Sequence, residues 1–461
     1  MKTDTTRARL SGYPGHDGHG GHSGHSGHGG HSGYSRFLVV WAGQLLSGLG
    51  TGMTGFALGV HVFTETMSAT SFAMVILCLF VPSIVLRPLG GVLADRFDRR
   101  MLIILGDLGS AMGVLFILFS LRTGDLSPAR IYLGIALNSA FTALQNPAYK
   151  ASLTDLVSEE QFAKAGGLVQ LASSTQHLLA PLAAGFLLVH GGLHLVLMLD
   201  LATFGAAVAG ALSIGARLGP AAGSEGSQRP NVGTELTEGR HTLTAHREVM
   251  SVVFVISGVT FFVGVLQTLF APMMLTLTDA RTLGVVQSLS ASGMLITSLI
   301  IGVFGMPSGL KSRISVSLAA TGIALALMGL SSNVAWITVT FFCFFACLPL
   351  VNTTAEVLIR AGIPNEMQGR AWGIIGVLSQ LGYIAAYLSA GMLADMVFNP
   401  LLMPNGLLAA SAGRIVGTGP GRGIALMLLL SGLGLVATAA ARAAWNNPTA
   451  FLAERKGAYQ S

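Results

Sequence analysis

Five ionisable side chains stand inside long apolar stretches of this sequence: His61, Asp107, His177, Asp200 and Glu356. Charge surrounded by hydrocarbon is costly, so each is a candidate for function. An imidazole with a reference pKa near 6.5 suits a group that gains and loses a proton once per cycle. His177, flanked by Gln176 and Pro181, is therefore the first candidate for proton coupling; a neutral, hydrogen-bonded structural histidine is the competing reading. Asp107 lies about two turns into its helix, close to a basic loop at 95–100, and reads more as support for that loop than as a carrier. Asp200 and Glu356 are further coupling candidates. Glu356 precedes Arg360 by four residues, the spacing of an ion pair on one helix face.

A different chemistry is spelled by His16, His19, His22, His25, His28 and His31, spaced by three with Gly and Ser, and once Asp17, between. Residues 11–34 cannot build a core and are expected to be disordered. Imidazole suits Zn, Ni and Cu, so metal capture on a flexible tail is one reading. A low-complexity tail without a transport role is the other, and no resident cofactor is expected.

These groups must be positioned by elements of an unusual composition. The chain has 461 residues, 52% hydrophobic and only 10% charged, with a mean hydropathy of +0.67, against about 25% charged in soluble domains. A soluble globule is excluded. At about 20 residues per bilayer crossing, the apolar length allows roughly ten to fourteen helices and leaves no room for a separate enzyme domain. The net charge of +6 comes from basic residues in loops, where they act as topology signals rather than as a nucleic-acid surface. Cys78, Cys343 and Cys347 lie inside apolar runs and imply no disulfide framework. No GxxxxGK(S/T) phosphate loop appears, so ATP is not expected to drive the protein.

Apolar stretches fall at about 36–64, 71–94, 101–121, 129–149, 166–189 and 191–214, and again at about 249–277, 281–304, 312–331, 334–359, 370–395 and 421–445. The expected fold class is an all-α polytopic membrane protein with twelve transmembrane helices in two six-helix repeats. The expected organisation is a His/Gly-rich cytoplasmic tail (1–35), a first half (36–214), a cytoplasmic linker (215–247), a second half (248–445) and a cytoplasmic C-terminal tail (446–461). With the N-terminus inside, 21 of the 26 Lys and Arg fall on the cytoplasmic side, so both termini are expected there. Sliding residues 146–187 forward by 206 positions superimposes Asn146 on Asn352, Glu160 on Glu366, Lys164 on Arg370 and Ser173 on Ser379. Duplicated halves related by an axis along the membrane normal place a substrate site between them, opened to each side in turn by rocking.

Between the second and third helices stands Gly91-Val92-Leu93-Ala94-Asp95-Arg96-Phe97-Asp98-Arg99-Arg100. This resembles the GxxxDRxGRR signature of the major facilitator superfamily, with Asp98 where that family usually has Gly. The resemblance implies a conformational latch: Gly91 for close helix approach, Asp95 pairing with an Arg and with a helix N-terminus, and Arg96, Arg99 and Arg100 completing the charge pattern. In helix 5, Ala180-Pro181-Leu182-Ala183-Ala184-Gly185 resembles the antiporter signature GPxxGG at Pro181 and Gly185 only; helix packing alone is an equal reading. Ile363-Pro364-Asn365-Glu366-Met367-Gln368-Gly369-Arg370-Ala371-Trp372-Gly373 looks like the loop before helix 11 in the drug:proton antiporter group that includes macrolide efflux proteins and the enterobactin exporter.

The resemblance further implies that helices 1, 4, 5, 7, 8, 10 and 11 line a cavity, where Gln44, Asn138, Gln145, Gln170, Gln267, Gln287, Asn352, Gln380, Tyr383 and Tyr387 would be its polar anchors. Some of these would serve as interhelical glue. Sparse anchors in an apolar chamber suit amphiphilic cargo rather than a sugar. The expected function is a proton-coupled plasma (inner) membrane exporter of drug-like or secondary-metabolite molecules, working as a monomer. Its partners would be a small-molecule substrate, protons and the lipid bilayer, with no nucleic acid. The alternative, prompted by the histidine tract, is export of a metal ion or metal chelate.

Overall fold

The computed structural model describes residues 29–213, 247–305, 310–362 and 368–446. His16 to His28, the polar segment 214–246, the loop 363–367 and the tail 447–461 lie outside the described residues. The chain forms helices α1 (Gly29–Thr66), α2 (Ala69–Arg96), α3 (Arg99–Arg122) and α4 (Pro128–Leu156). A 52-residue helix, Phe162–Ser213, then breaks at Gly192 (φ 64°, ψ −171°) into α5 (162–191) and α6 (193–213). That positive φ is a conformation a side chain disfavours, so the glycine permits the reversal. The second half comprises α7 (Arg247–Leu275), α8 (Ala280–Phe304), α9 (Leu310–Met328), α10 (Val334–Gly362), α11 (Gln368–Leu393) and α12 (Arg422–Asn446).

Short polar signals set where these helices start. The Ser68 hydroxyl accepts from the amide of Ser71 to begin α2, and the Asp279 carboxylate accepts from the amide of Thr282 to begin α8. Nine helices among the described residues are long and apolar enough to cross a membrane, the α5–α6 pair counting as one. Asn138, Gln145, Asn146, Lys150 and Asp155 lower the hydropathy of α4, which is not among the nine, while the apolar part of α9 spans only Ser312–Met328. One expectation is corrected here. Residues 29–35, read as part of a disordered tail, are helical and continuous with α1. Tyr34 already packs against the buried Phe37, with ring centroids 5.8 Å apart, so apolar packing begins before the composition changes.

In the first half α1 packs on the α5–α6 unit, and α4 packs on both α2 and α3; in the second, α7 packs on α11, and α10 on both α8 and α9. A shift of six helices maps the second set of contacts onto the first. Between the halves, α2 packs on α11 and α5 on α8, two contacts exchanged by the same shift. The face where α1 begins and α12 ends is termed proximal, and the opposite face distal.

Candidate substrate chamber

A cavity of roughly 440 Å³ lies between the halves. Its wall from α7 and α10 is aromatic: Phe270, Phe341, Phe344 and Phe345 line it, with the Phe270 and Phe341 rings stacked 3.9 Å apart and Phe341 and Phe345 at 4.8 Å. Facing this wall, α5 contributes Gln176, His177 and Pro181, while Gln267 and Gln287 add two amides from α7 and α8. His177 is the one ionisable side chain among the lining residues. Its Nδ1 lies 2.8 Å from the carbonyl oxygen of Ser173. A carbonyl only accepts, so Nδ1 carries the proton and Nε2 of the neutral ring is left as an acceptor. Gln267 is fixed from behind, its Oε1 accepting from the Tyr387 hydroxyl at 2.5 Å.

A second cavity, roughly 340 Å³, shares Gln176 with the first and extends between α1, α4 and α5. It is polar, lined by Gln44, Gln145, Asn146, Lys150 and Gln170 among others, and the buried Tyr149 hydroxyl beside it has no hydrogen-bond partner. Asp107 stands behind this annex, fully buried. Gln44 donates to its Oδ2 at 2.9 Å, and Gln145 donates to its Oδ1 at 2.7 Å and to Gln44 Oε1 at 3.0 Å. The assignment of Asp107 as support for the 95–100 loop is therefore corrected. Two turns of helix carry it away from the loop and onto the amides of α1 and α4.

Other polar candidates line neither cavity. Asp200 on α6 is fully buried against α1; the Thr54 hydroxyl donates to its Oδ2 at 2.5 Å, and its Oδ1 lacks a hydrogen-bond partner. Glu356 pairs with Arg360 at 2.5 Å on an exposed face of α10. Asn138, expected in the cavity, instead joins α4 to α3, its amide donating to the Ser110 carbonyl at 3.1 Å. Asn352, Gln380, Tyr383 and Tyr387 line neither cavity. Tyr383 and Tyr387 pack edge-on against Phe80 of α2, at 5.5 and 5.1 Å between ring centroids, and so join the halves. Among the described residues no three His, Cys, Asp or Glu side chains gather as a metal site.

This arrangement, two six-helix halves around a central chamber, fits the pattern of known transporters. Residues 40–387 match the Major Facilitator Superfamily. The chain belongs to that superfamily. It is 26% identical over 373 residues to Macrolide efflux protein A of Streptococcus pyogenes, covering 78% of this chain and 90% of that protein. Over 156 residues it is 26% identical to the Enterobactin exporter EntS of Shigella flexneri, covering 34% of this chain and 38% of the exporter. Among solved structures, the nucleoside transporter NupG aligns with a TM-score of 0.67 at 15% identity, over 88% of this chain and 98% of that one. A bacterial homolog of the human lysosomal transporter Spinster aligns with a TM-score of 0.65 at 15% identity, over 89% and 94%. The shared fold is that of a multi-pass membrane transporter, and the protein is not an enzyme.

The superfamily's signature loop is on the proximal face. Asp98, the departure from the usual Gly, caps α3: its carboxylate accepts from the amide of Arg100 at 2.9 Å, with φ −56° and ψ 116°. The turn uses no positive φ, so glycine is not required there. Arg100 donates to the carbonyls of Ala211 and Leu212 at the end of α6, at 3.0 and 2.8 Å. Asp95 and Arg96 are exposed on the last turn of α2. No described atom lies within 4 Å of where a Cβ on Gly91 would be. The close approach belongs to its neighbour Gly90, where a Cβ would sit 2.8 Å from the Ala143 carbonyl oxygen, because one residue rotates the helix face by about 100°.

The distal ends of α5 and α8 are in backbone contact. A Cβ on Gly185 would meet the Ala280 carbonyl oxygen at 2.7 Å, a Cβ on Gly284 would clash with the carbonyl of Pro181, and the Arg281 guanidinium lies 4.5 Å above the Phe186 ring. The residues of the helix 5 motif thus meet the second half directly. Sequence reasoning missed the aromatic wall, although the run Phe341-Phe342-Cys343-Phe344-Phe345 was its signal.

Proposed function

We propose that the protein exports hydrophobic or amphiphilic small molecules, drug-like or secondary metabolites, in exchange for protons by alternating access. The observation that carries this reading is the pairing of an aromatic wall with one ionisable side chain in the same chamber. Phe270, Phe341, Phe344 and Phe345 offer a large apolar surface, while Gln176, Gln267 and Gln287 offer few hydrogen bonds. Such a lining favours a ligand that buries an apolar body and anchors a few polar atoms. Neutral His177 accommodates that body, whereas a charged imidazole in the same space disfavours it, so proton and cargo compete for one state of the chamber. Competition of that kind is what exchange requires.

Direction is supported by the relatives named for efflux and export. Orientation rests on the distribution of Lys and Arg, which makes the proximal face cytoplasmic and the distal face exterior in a plasma membrane. The chamber is then closed toward the exterior by the α5–α8 and α2–α11 contacts. The six histidines, His16 to His31, precede the first apolar span in the sequence, and they bind Zn, Ni or Cu without taking part in cargo export.

The test is transport by the full chain in proteoliposomes with an imposed pH gradient, using N-phenyl-1-naphthylamine as the amphiphilic probe. Flux that follows the gradient and stops with a protonophore is expected. Flux indifferent to the gradient removes proton exchange, and no saturable flux at all removes the amphiphile reading.

A further inference from the structure

The distal ends of α2 and α11 are joined by one carboxylate. Asp395 lies just past the end of α11, on a π-helical turn, Ala394–Phe398. Its Oδ2 accepts from the Ser68 hydroxyl at 2.7 Å and from the Thr70 amide at 2.8 Å, and its Oδ1 accepts from the Ala69 amide at 3.1 Å. The three donors belong to the cap and first turn of α2, in the other half of the molecule. The Ser68 hydroxyl is itself spanned, accepting from the Ser71 amide at 3.1 Å while donating to Asp395.

We propose that Asp395 is a positioning residue of the transport cycle: a clasp that holds the distal face shut and must release before that face can open. A helix N-terminus leaves backbone N–H groups without partners and carries partial positive charge, so a carboxylate there is held by both hydrogen bonds and the helix dipole. Two local features bring it into reach. Gly391 lets the backbones touch, since a Cβ there would lie 2.8 Å from the Thr70 Cα. The π turn, a known device for re-aiming side chains within a helix, follows at once. Asp395 touches neither cavity, so its action is on the halves and not on cargo.

The opposite end of the same helix gives the clasp its meaning. Asp95 sits on the last turn of α2 at the proximal face, so α2 carries a carboxylate of its own at one end and meets the other half's carboxylate at the other. When two rigid halves rock about a central chamber, one end of the seam between them parts as the other closes, and the distal clasp cannot survive the opening of its own end. The clasp acts whichever cargo is carried and whichever group takes the proton.

The test uses the full chain with Cys78, Cys343 and Cys347 replaced by Ser, in lipid nanodiscs, with spin labels in two separate pairs. One pair, Thr123→Cys with Ser332→Cys, reports the distal face; the other, Ser158→Cys with Ser312→Cys, reports the proximal face. Asp395→Asn and Asp395→Ala should raise the ratio of long to short distal distances at least fivefold and shorten the proximal distances in the same samples. Ser68→Ala, which keeps the two amide donors, should fall between. A merely structural role would broaden both distributions without opposite shifts, and that result overturns the clasp. So do unchanged distributions in folded Asp395→Asn. If Asp395→Ala does not fold, Asp395→Asn and Ser68→Ala decide the matter.

Discussion

Nη1 of Arg99 donates to both carboxylate oxygens of Asp155, at 3.0 and 2.9 Å, and to the Ala151 carbonyl at 3.1 Å. The side chains are 6% and 26% exposed. An arginine of the signature loop is thus committed within its own half, tying the start of α3 to the end of α4. Removing one partner of such a pair leaves a guanidinium desolvated without compensation. Asp155→Ala should therefore cost about 3 kcal/mol of stability. Thermal unfolding of the purified protein checks this, and a midpoint equal to wild type would show that the pair contributes nothing.

Asp95 has a different expected role, because it is exposed on the last turn of α2, within the superfamily's signature loop. Asp95→Asn should reduce transport severalfold at normal expression and membrane insertion, since the latch that favours the outward-open state is weakened. The stability loss should be much smaller than for Asp155→Ala. Full turnover by Asp95→Asn in proteoliposomes defeats the latch assignment.

The fold was legible because its determinants are local: twelve apolar runs, basic loops and the Asp95–Arg100 signature each occupy a short stretch of chain. The site was less so. Gln176, His177 and Pro181 could be placed together because one helix presents them. Gln44, Asp107 and Gln145 could be singled out individually, but their joining depends on how α1, α3 and α4 rotate about their axes relative to one another, which the residue pattern of each helix taken alone does not set. Rotation by one residue also separates Gly90, which makes the contact, from Gly91, which does not. Asp395 escaped notice because it falls at the boundary of an apolar run, where a carboxylate looks like ordinary loop polarity.

The aromatic wall gives a prediction about affinity. Phe345 lines the chamber and is only partly buried, so truncating it should disturb binding more than folding. Losing one aromatic contact of about 1.4 kcal/mol is a tenfold weakening. Phe345→Ala should raise the Kd for N-phenyl-1-naphthylamine about tenfold, and Gln287→Ala only about twofold, by fluorescence titration. Equal effects would mean that polar anchoring carries as much of the recognition as apolar burial.

Deleting residues 11–34 tests the tail. The histidines from His16 to His28 precede the first described helix, and His31 enters its first turn. The deletion should abolish Zn or Ni binding measured by calorimetry and leave organic efflux nearly unchanged. Because residues 29–34 belong to α1, a second deletion of 11–28 separates the tail's chemistry from any loss of helix packing. Efflux that collapses in the shorter deletion at equal expression would put metal into the transport mechanism.

Energy coupling is the prediction on which the exchange mechanism stands. His177 lines the chamber, and its Nδ1 is engaged by the Ser173 carbonyl, so proton uptake at Nε2 places charge in the apolar space the cargo must occupy. His177→Gln keeps a polar side chain of similar reach and removes titration. The variant should bind probe with near-normal affinity and exchange it passively across vesicle membranes, while pH-driven accumulation falls at least tenfold. Lost binding would make His177 a cargo contact instead. Intact pH-driven accumulation would pass the role to Asp107 before the other carboxylates. Glu356 is already paired with Arg360, and Asp200 is sealed against α1. Asp107 alone is joined, through Gln44 and Gln145, to side chains that line the polar annex, so a change in its proton occupancy must rearrange the amides that face the lumen.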